Sequence, residues 1–177
     1  MSADVLKDEG LHLFQAGDYE GALVKFETAV SLYAADANEA GRAEMWNNMG
    51  VIHRLRGQRD AALAVLTQAA DAFAQLGDDN RQAQALGNLG DLYAAAKDQT
   101  EAARCYSDAA ALFAQDGDRD KQSQVLRALS LMRLRQGRFV QAMMHMEESL
   151  TVKPHAGFFG GIFRGMLRFV LKLMGAK

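Results

Sequence analysis

Glycine recurs at Gly10, Gly50 and Gly90, forty residues apart, and Ser130 continues the series. Twelve residues after each stands a small side chain, at Ala22, Ala62, Ala102 and Ala142. Four further on comes a large one, Phe26, Leu66, Tyr106 or Met146, and three beyond that Ala29, Ala69, Ala109 or Ser149. Four positions kept in register over four copies define an internal repeat, whose copies bury their apolar faces against one another. Two helices cross closely only where one lacks side-chain bulk. Hence Gly or Ala sits at the contact, and a large residue fills the space beside it.

The punctuation agrees. Gly17-Asp18, Gly57, Lys97-Asp98 and Gly137 break helices inside the copies, and Gly77-Asp78 and Gly117-Asp118 break them between copies. Gly suits the position just past a helix C-terminus, and Asp the N-cap that follows. The only proline is Pro154, and 49% of the residues are apolar, with alanine throughout. This predicts an all-α chain of eight antiparallel helices, each roughly 12–18 residues, joined by short turns. The copies fall at about 3–37, 38–77, 78–117 and 118–154, followed by a tail at 155–177.

The register resembles the tetratricopeptide repeat family, whose pattern is W-x2-L-G-x2-Y, then A-x3-F, then often Pro. Trp46, Met49, Gly50, His53, Ala62 and Leu66 carry it in the second copy; Leu86, Leu89, Gly90, Tyr93, Ala102 and Tyr106 in the third. The fourth has Leu126, Leu129, Ser130, Ala142, Met146 and Pro154 but places Arg133 in the tyrosine slot; the first has Glu9 and Leu13 at variant positions. The period is similar to the long repeats of kinesin light chains and Leu-Gly-Asn-type scaffolds. The resemblance implies a right-handed superhelical solenoid with a concave groove lined by the first helix of each copy, and a protein or peptide partner.

By that resemblance the groove positions include Lys7, Leu11 and Phe14; Asn47, Asn48, Val51 and Arg54; Asn88, Asp91 and Ala95; and Arg127, Leu131 and Arg135. Asn48 and Asn88 each precede the Met/Leu-Gly pair. An amide offers both donor and acceptor, so it can pair with a peptide backbone of any sequence, or bridge neighbouring helices. Lys121, Arg127, Arg135 and Arg138 make the fourth copy basic, which suits an acidic segment or a chain-terminal carboxylate, or else a solvated helix face.

Other functions find no support in the residues. His12, His53, His145 and His155 form no H-x3-H or HExxH pair, and Cys105 has no histidine near it in sequence. Tail residues GFFGG are not followed by the Lys-Ser/Thr pair of a phosphate loop. No enzymatic activity, cofactor or metal is expected, and an acidic body without interleaved aromatics argues against nucleic acid. One cysteine allows no intramolecular disulfide and points to a reducing compartment, the cytoplasm. The start, MSADVLKDEG, is acidic and lacks the apolar core of a signal peptide.

The tail stands apart in charge. All 22 acids lie at or before Glu148, with 15 of the 20 Lys and Arg, so residues 1–152 carry −7 and the remainder +5. On a helical projection Phe158, Phe159, Ile162, Phe163, Met166, Leu167, Phe169, Val170, Leu173 and Met174 share one half of the circle. Arg164, Arg168, Lys172 and four glycines share the other, with Leu171 an intruder. Gly157, Gly161 and Gly165 form a small-residue row suited to close helix contact. Four covers suit such a face: an anionic membrane surface, reached from the cytoplasmic side; the end of the solenoid; the groove; or a second copy of the chain. The expected function is an adaptor that holds a partner segment in its groove, with the tail as a membrane attachment. The alternative is a self-assembling structural protein whose tail caps the solenoid or joins chains into a homo-oligomer.

Overall fold

A computed structural model describes residues 2–152 and 158–174, with side chains over 2–152 and 165–174. Among the described residues there are nine helices and no strand. They are α1 (Ala3–Gln15), α2 (Tyr19–Ala35), α3 (Glu39–Leu55), α4 (Arg59–Leu76), α5 (Asp79–Ala95), α6 (Gln99–Asp116), α7 (Arg119–Arg135), α8 (Phe139–Val152) and α9 (Phe158–Leu173).

The helix ends follow from local chemistry. Asp18, Asn38, Asp78 and Asp118 accept the amide hydrogens of Gly21, Gly41, Arg81 and Lys121 at 2.9–3.0 Å, and Asp98 that of Glu101 at 3.3 Å. Each satisfies one of the orphan donors of a helix start. Gln58 does not cap; its Oε1 lies 2.6 Å from Nδ1 of His53, so the histidine in the aromatic slot is held by a polar contact. The preceding helices close through left-handed residues, with φ near +70° to +80° at Gly17, Gly57, Gly77, Gly117 and Gly137. At Ala37 (φ 53°) and Lys97 (φ 63°) the same turn is made with a Cβ present, at a steric cost.

The chain divides into two compact units, Met1–Leu92 and Tyr93–Lys177. In the first, α2 packs on α1 and α3, and α4 on α3, around buried Leu6, Phe26, Tyr33, Met45, Met49 and Ile52. Gly10 and Gly50 are required by this packing: a Cβ on Gly10 would lie 2.5 Å from the Phe26 ring, and one on Gly50 would overlap Leu66. In the second, α7 packs on α6 and α8 around Tyr106, Leu129 and Met132, and α9 packs on α8. Here Ser130 replaces the register glycine, and its Oγ donates to the Ala142 carbonyl at 2.7 Å.

Two further series of period forty are visible once the fold is known. Ala3, Ala43, Ala83 and Ser123 are all buried; in the last copy Ser123 meets Ser149, Oγ to Oγ at 2.8 Å, each hydroxyl also reaching the other's carbonyl. Tyr33, Phe73 and Phe113 are buried at the helix ends, and residues 41, 81 and 121 lie against them. Gly41 lies against the Tyr33 ring, while Arg81 stands 5.0 Å over Phe73 and Lys121 5.7 Å over Phe113. The same residues that donate to the N-caps thus cover the ring of the helix before, a cation–π contact in two of the three cases.

Candidate partner-binding surfaces

In the first unit the amide residues expected to face a partner behave unequally. Asn88 Nδ2 donates to Asn47 Oδ1 at 2.9 Å, so α5 is bridged to α3 by side chains. Arg54 is likewise engaged, its guanidinium 3.8 Å from Asp91. Among the described residues Asn48 has no such bridge. It lies on the wall between two clefts: one of about 150 Å³ lined by Leu11, Phe14, Phe26 and Val51, and one of about 240 Å³ lined by Glu44, Asn47, Phe73, Arg81 and Gln84. The first is apolar. In the second the charges are matched within the fold, Lys7 to Glu44 at 3.7 Å and Arg81 to Asp78 at 2.5 Å. Burial raises the Asp78 carboxyl, but the side chain and amide of Arg81 outweigh this and hold it below its ordinary range.

In the second unit, Leu131 and Arg135 line a cleft of about 510 Å³ with Ala94, Tyr106, Ala128 and Met132. Leu131 is half exposed at its rim, and Arg127 is exposed. Arg133, in the tyrosine slot, lines a separate cleft of about 600 Å³ with Gln99, Thr100, Ala103, Gln136 and Arg138. Its ring-sized slot is filled by a guanidinium whose Nη1 donates to Gln136 Oε1 at 3.1 Å. Burial, and then the neighbouring Arg138 charge, lower the Arg133 pKa from its ordinary value. Cys105 is fully buried, and burial pushes its thiol up, which disfavours the thiolate.

The tail departs from the expected face. Among the described side chains of α9, Leu167 and Leu171 are the buried ones, so the supposed intruder is a docking residue and the apolar arc packs by its margin. Arg168, expected on a free basic face, donates from Nε to Glu147 Oε1 at 2.5 Å and from Nη2 to Thr151 at 3.4 Å. Glu147 and Thr151 both lie on α8, the helix on which α9 packs. The opposite half of the arc faces outward: Met166 is 55%, Phe169 64% and Leu173 72% exposed. Lys172 is exposed beside them, and a methyl on Gly165 would meet nothing within 4 Å, so no close contact runs along the small-residue row there. The side chains of Phe158, Phe159, Ile162, Phe163 and Arg164, and Gly157, lie outside the described residues. Among those described, no helix is long and apolar enough to cross a membrane.

Antiparallel helix pairs joined by tight turns, with small residues at the crossings described within each unit, define a helical-repeat scaffold of the protein-interaction class. Residues 41–115 and 83–154 match the model of the tetratricopeptide repeat family, so the chain belongs to that family. No curated protein matches it in sequence. The crystal structure of BtubC (BKLC) from P. vanneervenii has a similar fold, with a TM-score of 0.77 at 21% identity. That match covers 85% of this chain and 63% of the other, so this chain spans less than two thirds of its length.

Several of these site features were open to sequence reasoning and several were not. Arg133 announced itself by replacing tyrosine. The partners Gln99, Thr100, Gln136, Arg81 and Gln84 carried no signal, because a polar residue near a helix end reads as solvated until its neighbours are placed.

Proposed function

We propose that the chain is an adaptor that captures an extended segment of a partner protein on the first unit, with Asn48 as the residue that holds its backbone. The observation that carries this is the position of Asn48 between an apolar and a polar cleft. In an extended peptide successive side chains point to opposite sides. With its backbone on the Asn48 amide, such a segment puts one apolar side chain among Leu11, Phe14 and Val51. Its neighbour then lies by Glu44, Gln84 and Arg81. Asn47 and Asn88, bonded to each other, hold the two helices at the spacing the clefts need, and the Arg54–Asp91 pair borders the same face. Leu131, Arg135 and Arg127 are an additional basic surface for an acidic part of the partner.

A peptide-display selection on the immobilised full chain tests this, with counter-selection on the Asn48→Ala variant. Enrichment of segments sharing an apolar residue beside a polar one, lost on the variant, supports the reading. Equal retention of the same segments by both proteins removes Asn48 from it.

The tail helix attaches this adaptor to an anionic membrane surface. The exposed row Met166, Phe169 and Leu173 supports this, because it is an apolar strip flanked by Lys172 in a segment that carries five cations and no acid. A second copy of the tail would bring the same positive charge against it and is disfavoured. Co-sedimentation of the full chain with phosphatidylserine-containing vesicles, and its loss in Phe169→Glu/Leu173→Glu, is the expected outcome. Equal pelleting of both proteins contradicts it.

A further inference from the structure

We infer that the cleft between the start of α6 and the α7–α8 turn is a binding site for a phosphoryl group, held by Arg133, Arg138, Gln136 and Thr100. The reading is independent of the Asn48 surface.

Among the described residues two buried donors there have no partner. Arg133 Nε and Gln136 Nε2 are both shielded and both unbonded among the described residues, although the other ends of the same side chains are joined, Nη1 to Oε1 at 3.1 Å. Arg133 and Gln136 therefore orient each other, and the Arg133 Nε–H and the Gln136 Nε2 amide are left without an acceptor in two residues that line the cleft. A buried donor left unmet is unfavourable, and two in one concavity are met together by one acceptor-rich ligand.

The charge points the same way. No Asp or Glu lines the cleft, and neither Arg133 nor Arg138 forms an ion pair among the described residues. Elsewhere in the unit Arg104 is paired with Glu101 and Asp108, Lys121 with Asp118 and Arg168 with Glu147. The two arginines are also fixed near each other by the backbone. The Arg138 amide donates to the Arg133 carbonyl at 2.9 Å across a turn whose Gly137 has φ 72°. Two uncompensated cations held together call for a ligand of about two negative charges. A phosphoryl group carries roughly −1.5 to −2 at neutral pH and three acceptor oxygens, whereas a carboxylate carries one charge and two oxygens. Gln99 and Thr100 add the first turn of an 18-residue helix, the end that favours anions, with a hydroxyl among them. Asp98, the N-cap of that helix, spends a carboxylate oxygen on the Glu101 amide and does not line the cleft.

The site does not follow from the family pattern, which has tyrosine where Arg133 stands. That departure supplies the control. Arg133→Tyr restores the residue found at the matching Tyr93 and is expected to fold.

The test titrates the full-length protein with inorganic phosphate, with the amide of N-acetyl-O-phosphoserine, and with acetate, at constant ionic strength. The Arg133 Nε–H and Gln136 side-chain amide resonances are followed by NMR. Saturable shifts are expected with both phosphorylated probes, with acetate at least tenfold weaker. Tighter binding of the phosphoserine derivative identifies a phosphorylated partner side chain as the source, and tighter binding of inorganic phosphate a free small phosphate. Affinity should drop at least tenfold in Arg138→Gln and in Arg133→Tyr, read on Gln136, and should weaken below about pH 6 as the phosphate loses its second charge. Absence of shifts, acetate binding as tight as phosphate, or unchanged affinity in both folded variants overturns the assignment.

Discussion

Asn88 donates its side-chain amide to the carbonyl oxygen of Asn47, 2.9 Å away and forty-one residues distant in sequence. The bond separates two asparagines that occupy equivalent places in successive copies. Asn88 is committed to joining α5 to α3, while Asn48 borders two open clefts. Asn88→Ala should therefore lower stability by about 1 kcal/mol, since a half-buried acceptor is left without its donor. Asn48→Ala should leave the melting temperature within about a degree and act on partner binding alone. Thermal melts of the two single variants separate these roles, and equal losses in both would contradict the division.

Buried serines at one crossing make a sharper case. Ser123 and Ser149 satisfy each other at the point where the first two copies place alanine pairs, Ala3 and Ala29, and Ala43 and Ala69. Either single change to alanine should cost about 1–3 kcal/mol, because it strands the other hydroxyl. The double change, which restores the pattern of the first two copies, should cost less than the larger single one. A double-mutant cycle by denaturant melts measures the coupling; additive losses would show that the two hydroxyls do not depend on each other.

Two left-handed turns lack glycine. Ala37 and Lys97 hold φ of 53° and 63° where the equivalent turns use Gly17, Gly57, Gly77, Gly117 and Gly137. Ala37→Gly and Lys97→Gly should each stabilise the fold by about 0.5–1 kcal/mol, the steric relief of about 1–2 kcal/mol being partly offset by greater freedom of the unfolded chain. Higher denaturant midpoints for both variants are the expected result.

The first unit should weaken in acid through Asp78. Its carboxyl is ordinarily near 3.8 and is held lower by Arg81 in the fold despite burial. A depressed folded value means that the stabilisation is complete above pH 3.8 and is lost as pH falls through and below it. Asp78→Asn keeps an N-cap acceptor but not the charge. It should start less stable at neutral pH and lose less between about pH 5 and 2, so that the two melting curves converge.

How much of this was written in the chain depends on the length scale of the interaction. The eight-helix body followed from Gly10, Gly50, Gly90 and Ser130, because a crossing without bulk is a constraint that one residue position carries alone. Caps at Asp18, Asp98 and Asp118 were legible for the same reason. The turn at Ala37-Asn38 was less so, since alanine does not advertise a left-handed backbone. The Phe73–Arg81 and Phe113–Lys121 contacts escaped notice because a cation near a helix start reads as solvated until the aromatic before it is seen to end beneath it. The tail shows the limit most plainly. Periodicity ranked Leu171 as misplaced, but in the fold Leu167 and Leu171 dock beside the Arg168–Glu147 ion pair and Phe169 faces out. That partner lies twenty-one residues away, and no pattern within the tail contains it.

The adaptor account rests on Asn48, and its own side-chain amide resonance reports on it most directly. A segment recovered by peptide display is titrated into the isotope-labelled full chain. The account predicts a saturable shift of the Asn48 side-chain NH2 signals, with those of Asn88 holding their position because its bond to Asn47 persists. If the segment binds while the Asn48 signals stay in place, the partner lies elsewhere on the scaffold and the assignment of Asn48 is wrong.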